Sequence, residues 1–333
     1  MAETYRLEGM DGRKVLVLGG LGFIGSNVAN KCVQLGAEVT VFDALIKPYG
    51  GNEFNISEIK GKVKLLKQDM RNVKQLEAAV KGTDYIFNCA GQVSHVDSMT
   101  DPYMDIELNL VANINLLEAA RKHNDRARIV YAGTRAQIGK TDEVPVTEKT
   151  MPFPVDVYGV DKQAAEGYHL LYNYAYGMQT TSLRITNAFG ERSQMKHGKY
   201  GIMNWFIRLA LENKKISVYG DGKQKRDYLY VADVVDAMLL AGQKKQAAGK
   251  YYIVSSGKTI EFIDMVKKII KACGSGSYEF VPWPEDRKRI ETGDYVSSFE
   301  RIKNELGWQP KTGFDDGLQR TVEFYRKNLK QYI

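Results

Sequence analysis

The chain has 333 residues, a net charge of +7 and a pI of about 9.0, a length that suits one large or two unequal domains. Its lysines are scattered rather than gathered in one basic arm, which argues against nucleic acid as a partner, and the lack of an apolar run near the ~18 residues of a membrane span argues against a membrane. Cys32, Cys89 and Cys273 are far apart and leave one thiol unpaired, which indicates a reducing, cytoplasmic compartment, and we predict no metal site.

The first half of the chain alternates short apolar segments with helical periodicity. Apolar strands separated by amphipathic helices predict a parallel sheet that is covered on both faces. Beyond Pro152 the order of elements is less regular, which predicts a second, mixed α/β lobe. Strands are predicted at 14–18, 38–42, 63–67, 85–89, 128–131, 180–185, 216–219 and 251–254, and helices at 24–35, 73–80, 104–123, 155–176, 202–212, 231–243, 260–273 and 314–328.

Glycines recur at three-residue intervals in the turn that joins the first strand to the first helix. Gly19 permits the tight turn, Gly22 lets the backbone approach a pyrophosphate, and Gly25 lets the helix pack closely on the strand. Phe23 and Ile24 begin that helix, and the free N–H groups of a helix N-terminus attract phosphate oxygens. The turn therefore predicts a dinucleotide-binding site.

The second predicted strand ends in an acidic residue, Asp43. A carboxylate at this place can accept hydrogen bonds from both ribose hydroxyls of an adenosine and repels a ribose phosphate, which favours NAD over NADP. The nearby cation of Lys47 would weaken that preference. Together with the glycine turn, Asp43 predicts a Rossmann doubly wound parallel sheet over 12–185, rejoined by a segment at about 225–255, and a smaller, mainly substrate-binding lobe over 186–333.

Tyr158 and Lys162 stand four residues apart, on one face of the helix predicted at 155–176. A tyrosine with an ordinary pKa near 10 is a poor base at neutral pH, and a neighbouring cation favours its phenolate. In a chain with 20 tyrosines this spacing alone also suits an ordinary surface pair. Its position after the glycine turn and after the strand that runs into Thr134 favours a catalytic pair.

In this order of motifs the sequence resembles the extended short-chain dehydrogenase/reductase family, and within it the nucleotide-sugar epimerases and dehydratases typified by UDP-galactose 4-epimerase. The resemblance covers nearly the whole chain. Besides the glycine turn and the Tyr158/Lys162 pair, it rests on Asp43, Asp69-Met70, the segment from Asn88 to Gln92, Asn109, Thr134, the segment from Asn187 to Gly190, the segment from Gly220 to Gly222, the segment from Arg226 to Tyr228, and the segment from Leu306 to Trp308.

The resemblance implies roles for individual residues. Thr134 matches the residue that hydrogen-bonds the reacting hydroxyl, Tyr158 the base that removes its proton, and Lys162 the residue that holds the nicotinamide ribose and acidifies the tyrosine. The implied cofactor is tightly bound NAD, which carries a hydride away from the sugar and back. Further implied cofactor contacts are Asp69 and Met70 at the adenine, Ala90 and Gln92 at the phosphates and ribose, and Asn109 as a support near the cofactor.

The second lobe is implied to bind a nucleotide sugar, with a UDP-sugar favoured. Arg226 matches the arginine that binds the diphosphate, a role suited to a bidentate guanidinium. Arg287 and Arg289 both lie near the place where a second such arginine is expected, and the spacing does not choose between them. The remaining predicted substrate contacts are Asn187 at the diphosphate, Ile202, Val218 and Tyr219 at the base, and Ser94, His95 and Arg135 near the sugar.

The two residues after Thr134 distinguish between the reactions that the resemblance allows. In the 4,6-dehydratases the residue equivalent to Thr134 is followed by Asp-Glu, the acid and base that eliminate water, whereas this chain has Arg135 and Ala136. Without that pair a dehydratase is disfavoured, and the decarboxylase pattern, which keeps the glutamate, is disfavoured for the same reason. Epimerisation needs only Thr134, Tyr158 and Lys162.

We therefore predict an NAD-dependent nucleotide-sugar epimerase, with 4-epimerisation of a UDP-hexose as the leading case. The alternatives are a 2-epimerase, reductase or 4,6-dehydratase that acts on a CDP-, GDP- or dTDP-sugar, and a non-catalytic regulator that senses NAD(H). His95 could act as a base and Arg135 could pair with a substrate carboxylate or phosphate. The helices at 104–123 and 155–176 resemble those of a four-helix dimer interface, which predicts a homodimer.

Overall fold

The computed structural model describes residues 5–333, and within them strands and helices alternate along most of the chain. The strands are β1 (Lys14–Leu18), β2 (Glu38–Phe42), β3 (Val63–Leu66), β4 (Tyr85–Asn88), β5 (Arg128–Thr134), β6 (Gln179–Ile185), β7 (Asn187–Phe189), β8 (Lys215–Tyr219), β9 (Lys225–Arg226), β10 (Tyr228–Tyr230), β11 (Lys250–Val254), β12 (Ile260–Glu261) and β13 (Ser277–Val281). The α-helices are α1 (Phe23–Gln34), α2 (Val73–Val80), α3 (His95–Thr100), α4 (Pro102–Ile106), α5 (Ala112–His123), α6 (Val157–Tyr176), α7 (Ile202–Leu211), α8 (Val231–Gln243), α9 (Phe262–Cys273), α10 (Glu285–Arg289), α11 (Glu300–Leu306) and α12 (Phe314–Asn328).

Seven strands form a central parallel sheet in the order β11-β6-β5-β4-β1-β2-β3. Alternate side chains of β1 enter two different cores, because successive residues of a strand point to opposite faces. Val15 and Val17 pack in the core that includes α1 and α8, whereas Leu16 and Leu18 pack in the core that includes α2 and α5. The predicted Rossmann doubly wound fold is confirmed.

The chain order reverses between β1 and β4, which are neighbours in the sheet although β2 and β3 extend from the other side of β1. Loops that leave the carboxyl ends of these two strands separate in opposite directions and open a crevice, the usual ligand site of such sheets. The glycine turn after β1 and the loop after β4 both border this crevice. The functional site is therefore expected at this edge of the sheet.

A smaller mixed lobe is built on α7, α9 and the parallel pair β8–β13. Ile207 from α7, Ile216 and Val218 from β8, and Ile269 from α9 are fully buried between them. β11 lies late in the chain and yet pairs with β6 in the central sheet. The chain thus returns to the first lobe after it has begun the second.

The structure differs from the predicted elements in a few places. The helix predicted at 104–123 is divided into α4, a π-helical turn at Glu107–Val111, and α5. β13 was not predicted: its five residues mix polar and apolar side chains over a short run, and four of the five side chains are exposed, so it lacks the pattern of a buried strand. In the part of the chain described here, no helix has the length and apolarity to cross a membrane.

Candidate active site

The glycine turn joins β1 to α1 in a geometry that side chains would block. Gly19 has a φ of +69°, and a Cβ there would lie 2.7 Å from the Cα of Ala90. A Cβ on Gly25 would lie 2.2 Å from the carbonyl oxygen of Gly19. Both distances are far below van der Waals contact, so the turn requires glycine at these two positions.

The N-terminus of α1 is free to receive an anion. Gly22 is its N-cap, no side chain caps the helix, and the first turn contains no acidic residue. Gly22, Phe23 and Ile24 line the large cavity described below. Unpaired N–H groups and the positive end of the helix dipole therefore face a space that fits a pyrophosphate.

A smaller pocket of about 110 Å³ lies beyond the carboxyl end of β2. Asp43 lines it, and its carboxylate accepts hydrogen bonds from the backbone N–H groups of Leu21 (2.9 Å) and Leu45 (2.8 Å). Burial raises the pKa of Asp43, while these two bonds oppose the increase. Each carboxylate oxygen keeps a lone pair for a ribose hydroxyl. Other predicted cofactor residues that line this pocket are Gly19, Gly22, Asp69, Met70 and Ala90.

Lys47 is exposed and does not line either pocket. Of these two residues, only Asp43 therefore lines the pocket in which the ribose is expected. A negative charge without a facing cation repels a ribose phosphate. This arrangement suits NAD, as the sequence predicted.

A cavity of about 900 Å³ continues from the glycine turn into the smaller lobe. It and the smaller pocket share Gly22, Gly50, Cys89 and Gly91 in their linings, so the two spaces meet over the turn. The predicted substrate and catalytic residues on its wall are His95, Thr134, Arg135, Tyr158, Lys162, Asn187, Ile202, Tyr219, Arg226 and Arg287. A dinucleotide and a second ligand can therefore meet at the end of β5.

Thr134 ends β5, and Tyr158 lies in the first turn of α6. The Thr134 hydroxyl accepts a hydrogen bond from the backbone N–H of Ala136 (3.2 Å), and the Gln137 side chain accepts one from the Thr134 N–H (2.7 Å). This reciprocal capping holds the threonine at the strand end. Both hydroxyl-bearing residues line the cavity.

The electrostatics of the tyrosine depend on its neighbours. Burial raises the pKa of Tyr158 above its ordinary value, whereas the nearby hydroxyl of Thr134 and the charge of Arg135 lower it. Lys162 donates a hydrogen bond to the carbonyl oxygen of Ala132 (2.8 Å), and its Nζ lies 4.2 Å from the ring centre of Tyr131. Burial lowers the pKa of Lys162 to about 8. The lysine is thus fixed beside β5, at the cofactor side of the cavity.

His95 forms a pair with a carboxylate that was not predicted as a site residue. Its Nδ1 lies 2.5 Å from Oδ2 of Asp156, and its ring meets that of Tyr158 edge to face, with 5.1 Å between centroids. Asp156 is buried and caps α6 through a bond from the Gly159 N–H (2.7 Å). Because Nδ1 is engaged, Nε2 is the nitrogen available to a ligand. An acidic residue just before a helix was the signal for Asp156.

Two arginines approach each other at the far side of the cavity. Arg135 donates to Oδ1 of Asn187 (3.1 Å), whereas Arg226 forms an ion pair with Glu291. Burial and the charge of Arg226 lower the pKa of Arg135. Glu291 was missed in the sequence because nothing in its spacing links it to Arg226. Together the two guanidinium groups suit an anionic ligand.

Six predicted residues do not line either pocket. One is Gly25, which lets α1 pack on the turn, and the others are Gln92, Ser94, Asn109, Val218 and Arg289. Gln92 and Asn109 are buried behind the site, where Asn109 donates to the Gln92 carbonyl (3.1 Å) and to Asp105 (3.0 Å). The Ser94 hydroxyl instead caps α3.

Val218 faces the core because strand alternation directs Ser217 and Tyr219, and not Val218, to the cavity. Between the two candidate arginines, Arg287 lines the cavity and Arg289 is exposed away from it. Trp283, which was not predicted, lies beside Tyr219 with 5.5 Å between ring centroids. An aromatic pair of this kind is suited to contact with a planar base. No cluster of metal-ligating side chains occurs within residues 5–333.

A doubly wound sheet with a glycine turn, an acid-ended second strand and a tyrosine–lysine helix beside a second lobe defines a dinucleotide-dependent enzyme class. The chain belongs to the NAD dependent epimerase/dehydratase family, whose model matches residues 15–255. The predicted family resemblance and NAD as the cofactor are confirmed by this membership.

Relatives in the family catalyse more than one reaction. A putative UDP-glucose 4-epimerase of Methanocaldococcus jannaschii is 31% identical over 94% of this chain and 99% of its own. A dTDP-glucose 4,6-dehydratase of Streptomyces niveus is 28% identical over 95% of this chain and 93% of its own. Membership therefore establishes the enzyme family and not the particular reaction.

Two solved structures of enzymes with this fold are also similar to the chain. The UDP-glucose 4-epimerase of Thermus thermophilus, in complex with NAD, superposes with a TM-score of 0.84 at 32% identity and covers 94% of this chain and 99% of its own. The UDP-glucose 4-epimerase of Thermotoga maritima, with UDP-glucose, gives a TM-score of 0.85 at 28% identity and covers 95% and 99%.

Proposed function

We propose that this chain is an NAD-dependent nucleotide-sugar epimerase and that 4-epimerisation of a UDP-hexose is its leading reaction. The observation that carries the proposal is the cavity wall beside β5. Thr134 and Tyr158 line it, and the two positions after Thr134 are Arg135 and Ala136 rather than an acid and a base. The cavity therefore contains the hydroxyl groups that oxidation of a sugar hydroxyl needs. It lacks the acid and base that elimination of water would need at the two positions after Thr134.

Each residue has a defined task in this reaction. Tyr158 accepts the proton of the C4 hydroxyl, and Thr134 hydrogen-bonds the same oxygen. NAD held at the glycine turn would supply the reversible hydride acceptor for this oxidation. Arg226 and Arg287 hold the diphosphate while the 4-keto sugar turns over, so that reduction occurs on its other face. Lys162 orients the cofactor ribose from the side of β5.

The glycine turn, Asp43 and the smaller pocket are proposed to hold the dinucleotide, with Asp69, Met70 and Ala90 around its adenosine half. Gln92 and Asn109 are proposed to support this site from behind. In the smaller lobe, Ile202, Tyr219 and Asn187 are proposed contacts of the nucleotide sugar. The cytoplasm is the proposed compartment, in keeping with three free cysteines.

A homodimer is the proposed assembly. The outer face of α6 exposes Val160, Tyr168, Leu171 and Tyr174, and Tyr103 of α4 is 80% exposed beside it. The four side chains of α6 are uncharged and follow helical spacing, and α4 packs against α6, so we infer that these side chains share one apolar surface. Surfaces of this kind are commonly covered by a partner, and a two-fold axis lets one surface cover its own copy.

A second candidate reaction is favoured by the His95–Asp156 pair. A histidine oriented by a carboxylate is a competent proton-transfer group near neutral pH. Beside Tyr158 it would support oxidation at a carbon other than C4, as in a 2-epimerase. Product analysis distinguishes the two carbons.

The test is incubation of the purified protein with NAD and UDP-galactose, with products separated and identified by NMR. UDP-glucose is expected from the wild type, and Tyr158→Phe is expected to lower kcat by at least about 100-fold while NAD binding is retained. Release of a 4-keto-6-deoxy sugar, net consumption of reduced cofactor, or full turnover by Tyr158→Phe would contradict the proposal.

A further inference from the structure

Arg135 carries a positive charge with no carboxylate partner in residues 5–333. Its guanidinium donates to Asn187 Oδ1 (3.1 Å) and to Thr292 Oγ1 (3.3 Å), which are both neutral groups, and it lies over the ring of Tyr295 at 5.2 Å. Arg226, in the same cavity, is neutralised by Glu291. The charge of Glu291 also acts on Arg135, but within residues 5–333 no carboxylate forms an ion pair with its guanidinium. A ligand anion would therefore give this sheltered charge a direct partner.

The position of Arg135 indicates which part of the ligand carries that anion. It follows Thr134 directly in the chain, and its charge reaches Tyr158, whose pKa it lowers. On its other side the charge of Arg226 acts on it. Arg135 therefore lies between the hydroxyls that react with the sugar and the arginine suited to the diphosphate. The group that lies there in a bound nucleotide sugar is the sugar ring.

The chemistry of the side chain narrows the anion further. A guanidinium presents a planar fork of N–H donors that matches the two oxygens of a carboxylate. The bonds to Asn187 and Thr292 use Nε and one N–H of Nη1, so the second N–H of Nη1 and the N–H groups of Nη2 remain for the two oxygens of a carboxylate. They also fix the plane of the fork before a ligand arrives, which lowers the entropy cost of binding. A neutral hexose would leave the charge unbalanced.

We propose that the natural substrate is a nucleotide-linked acidic sugar, such as a uronic acid, whose carboxylate pairs with Arg135. The inference rests on the proposed function, because it takes the ligand of the cavity to be a nucleotide sugar. It keeps the reaction but replaces the neutral hexose of that proposal by an acidic sugar as the preferred substrate, and it assigns Arg135 as the residue that selects it. The other anionic group that could pair with Arg135 is the diphosphate, which every nucleotide sugar contains.

Equilibrium binding separates these sources. Isothermal titration calorimetry of the NAD-loaded protein with UDP, UDP-glucose and UDP-glucuronate compares the diphosphate alone, a neutral sugar and an acidic sugar. The wild type is expected to bind UDP-glucuronate about 10-fold or more tightly than UDP-glucose, as a charge-assisted pair allows. In Arg135→Gln this preference is expected to disappear, while UDP and UDP-glucose change by less than about 3-fold.

Two further variants complete the experiment. Arg135→Lys keeps the charge without the fork and is expected to retain part of the preference. Arg289→Gln makes the same change at an exposed arginine outside the cavity and is expected to leave all three affinities unchanged. Thermal denaturation of each variant verifies that it is folded.

The outcomes are distinct. Equal wild-type affinities for the two sugars would overturn the acidic-sugar inference and leave the epimerase proposal standing. Equal weakening of all three ligands in Arg135→Gln would assign Arg135 to the diphosphate and also overturn it. Failure of the wild type to bind UDP or either sugar would contradict the proposed function and remove the inference with it.

Discussion

Tyr158 illustrates how far a single residue depends on its surroundings. The sequence supplies a phenol and an ammonium at helical spacing, yet the ammonium of Lys162 is held by the Ala132 carbonyl. Burial raises the pKa of Tyr158 in the structure, and the cation that opposes this increase is Arg135. The residue type was predictable because the chemistry needs a phenol. The source of its electrostatic environment was not, because β5 and α6 meet only in the folded chain.

Two buried carboxyl groups meet where α4 packs against α6. Asp105 and Asp161 are buried side by side, and burial together with Asp105 raises the pKa of Asp161 to about 7. In the unfolded chain an aspartate titrates near 3.8. Between about pH 4 and pH 7 the folded state therefore holds a proton that the unfolded state has lost, so the free energy of unfolding falls as pH rises through this window.

Asp161→Asn is expected to remove that pH dependence. The amide can donate a hydrogen bond to Asp105 without taking up a proton. At pH 8 the free energy of unfolding of the variant should therefore exceed that of the wild type by about 2 kcal/mol, about half of what the pKa shift of Asp161 corresponds to. Near pH 4 the two proteins should differ little. Urea denaturation across this pH range measures the difference. Asp142→Asn, at an exposed position, is the control. Parallel profiles for Asp161→Asn and the wild type would refute the expectation.

At the scale of elements, the strand and helix that flank the glycine turn, β1 and α1, were predicted correctly, and the dinucleotide site at that turn stays a prediction. Its requirements are local: an apolar strand, a turn that excludes Cβ atoms, and a helix whose first N–H groups are free. The division of the 104–123 helix by the turn at Glu107–Val111 was not predictable, because a π turn has no distinct periodicity over five residues. Short exposed elements such as β13 also escaped, since their side chains contact solvent.

Gly25→Ala tests the fit between the turn and α1. The added Cβ would lie 2.2 Å from the Gly19 carbonyl oxygen, so we expect α1 to shift, the free energy of unfolding to fall by about 2–3 kcal/mol, and NAD affinity to drop by at least about 10-fold. Calorimetric NAD binding and urea denaturation give the two values. Gly61→Ala adds a methyl group where no atom lies within 4 Å and should leave NAD affinity intact. Equal behaviour of the two variants would refute the steric argument.

At the scale of the whole molecule, the site is formed by segments that are distant in the sequence. The large cavity is lined by the glycine turn, the end of β5, the start of α6, and the smaller lobe around Arg226 and Trp283. The chain returns to the central sheet at β11, so more than one segment of the chain connects the two lobes. A ligand in this cavity therefore contacts both lobes at the same time.

Leu171→Glu tests the proposed assembly. Leu171 is 51% exposed on the apolar face of α6, and in a two-fold interface the new charge would enter a desolvated surface twice. We expect a dimeric wild type and a mainly monomeric variant in sedimentation velocity at micromolar concentration. Phe280→Glu, a similar change at a 54% exposed residue of β13, should remain dimeric. A monomeric wild type, or a Leu171→Glu variant that remains dimeric, would contradict the α6 interface.

The glycine turn, Asp43 and the spacing of Tyr158 and Lys162 were available from the sequence alone, because each lies in a short segment whose spacing and chemistry are local. The role of Thr134 was implied by the family resemblance, and all of these site roles stay predictions. The tertiary structure decided the rest. It paired His95 with Asp156 and Arg226 with Glu291, left Arg135 without a carboxylate partner among the described residues, and turned Val218 into the core. These outcomes depend on contacts between segments that are far apart in the chain, whose mutual positions are established only when the sheet and the two lobes pack.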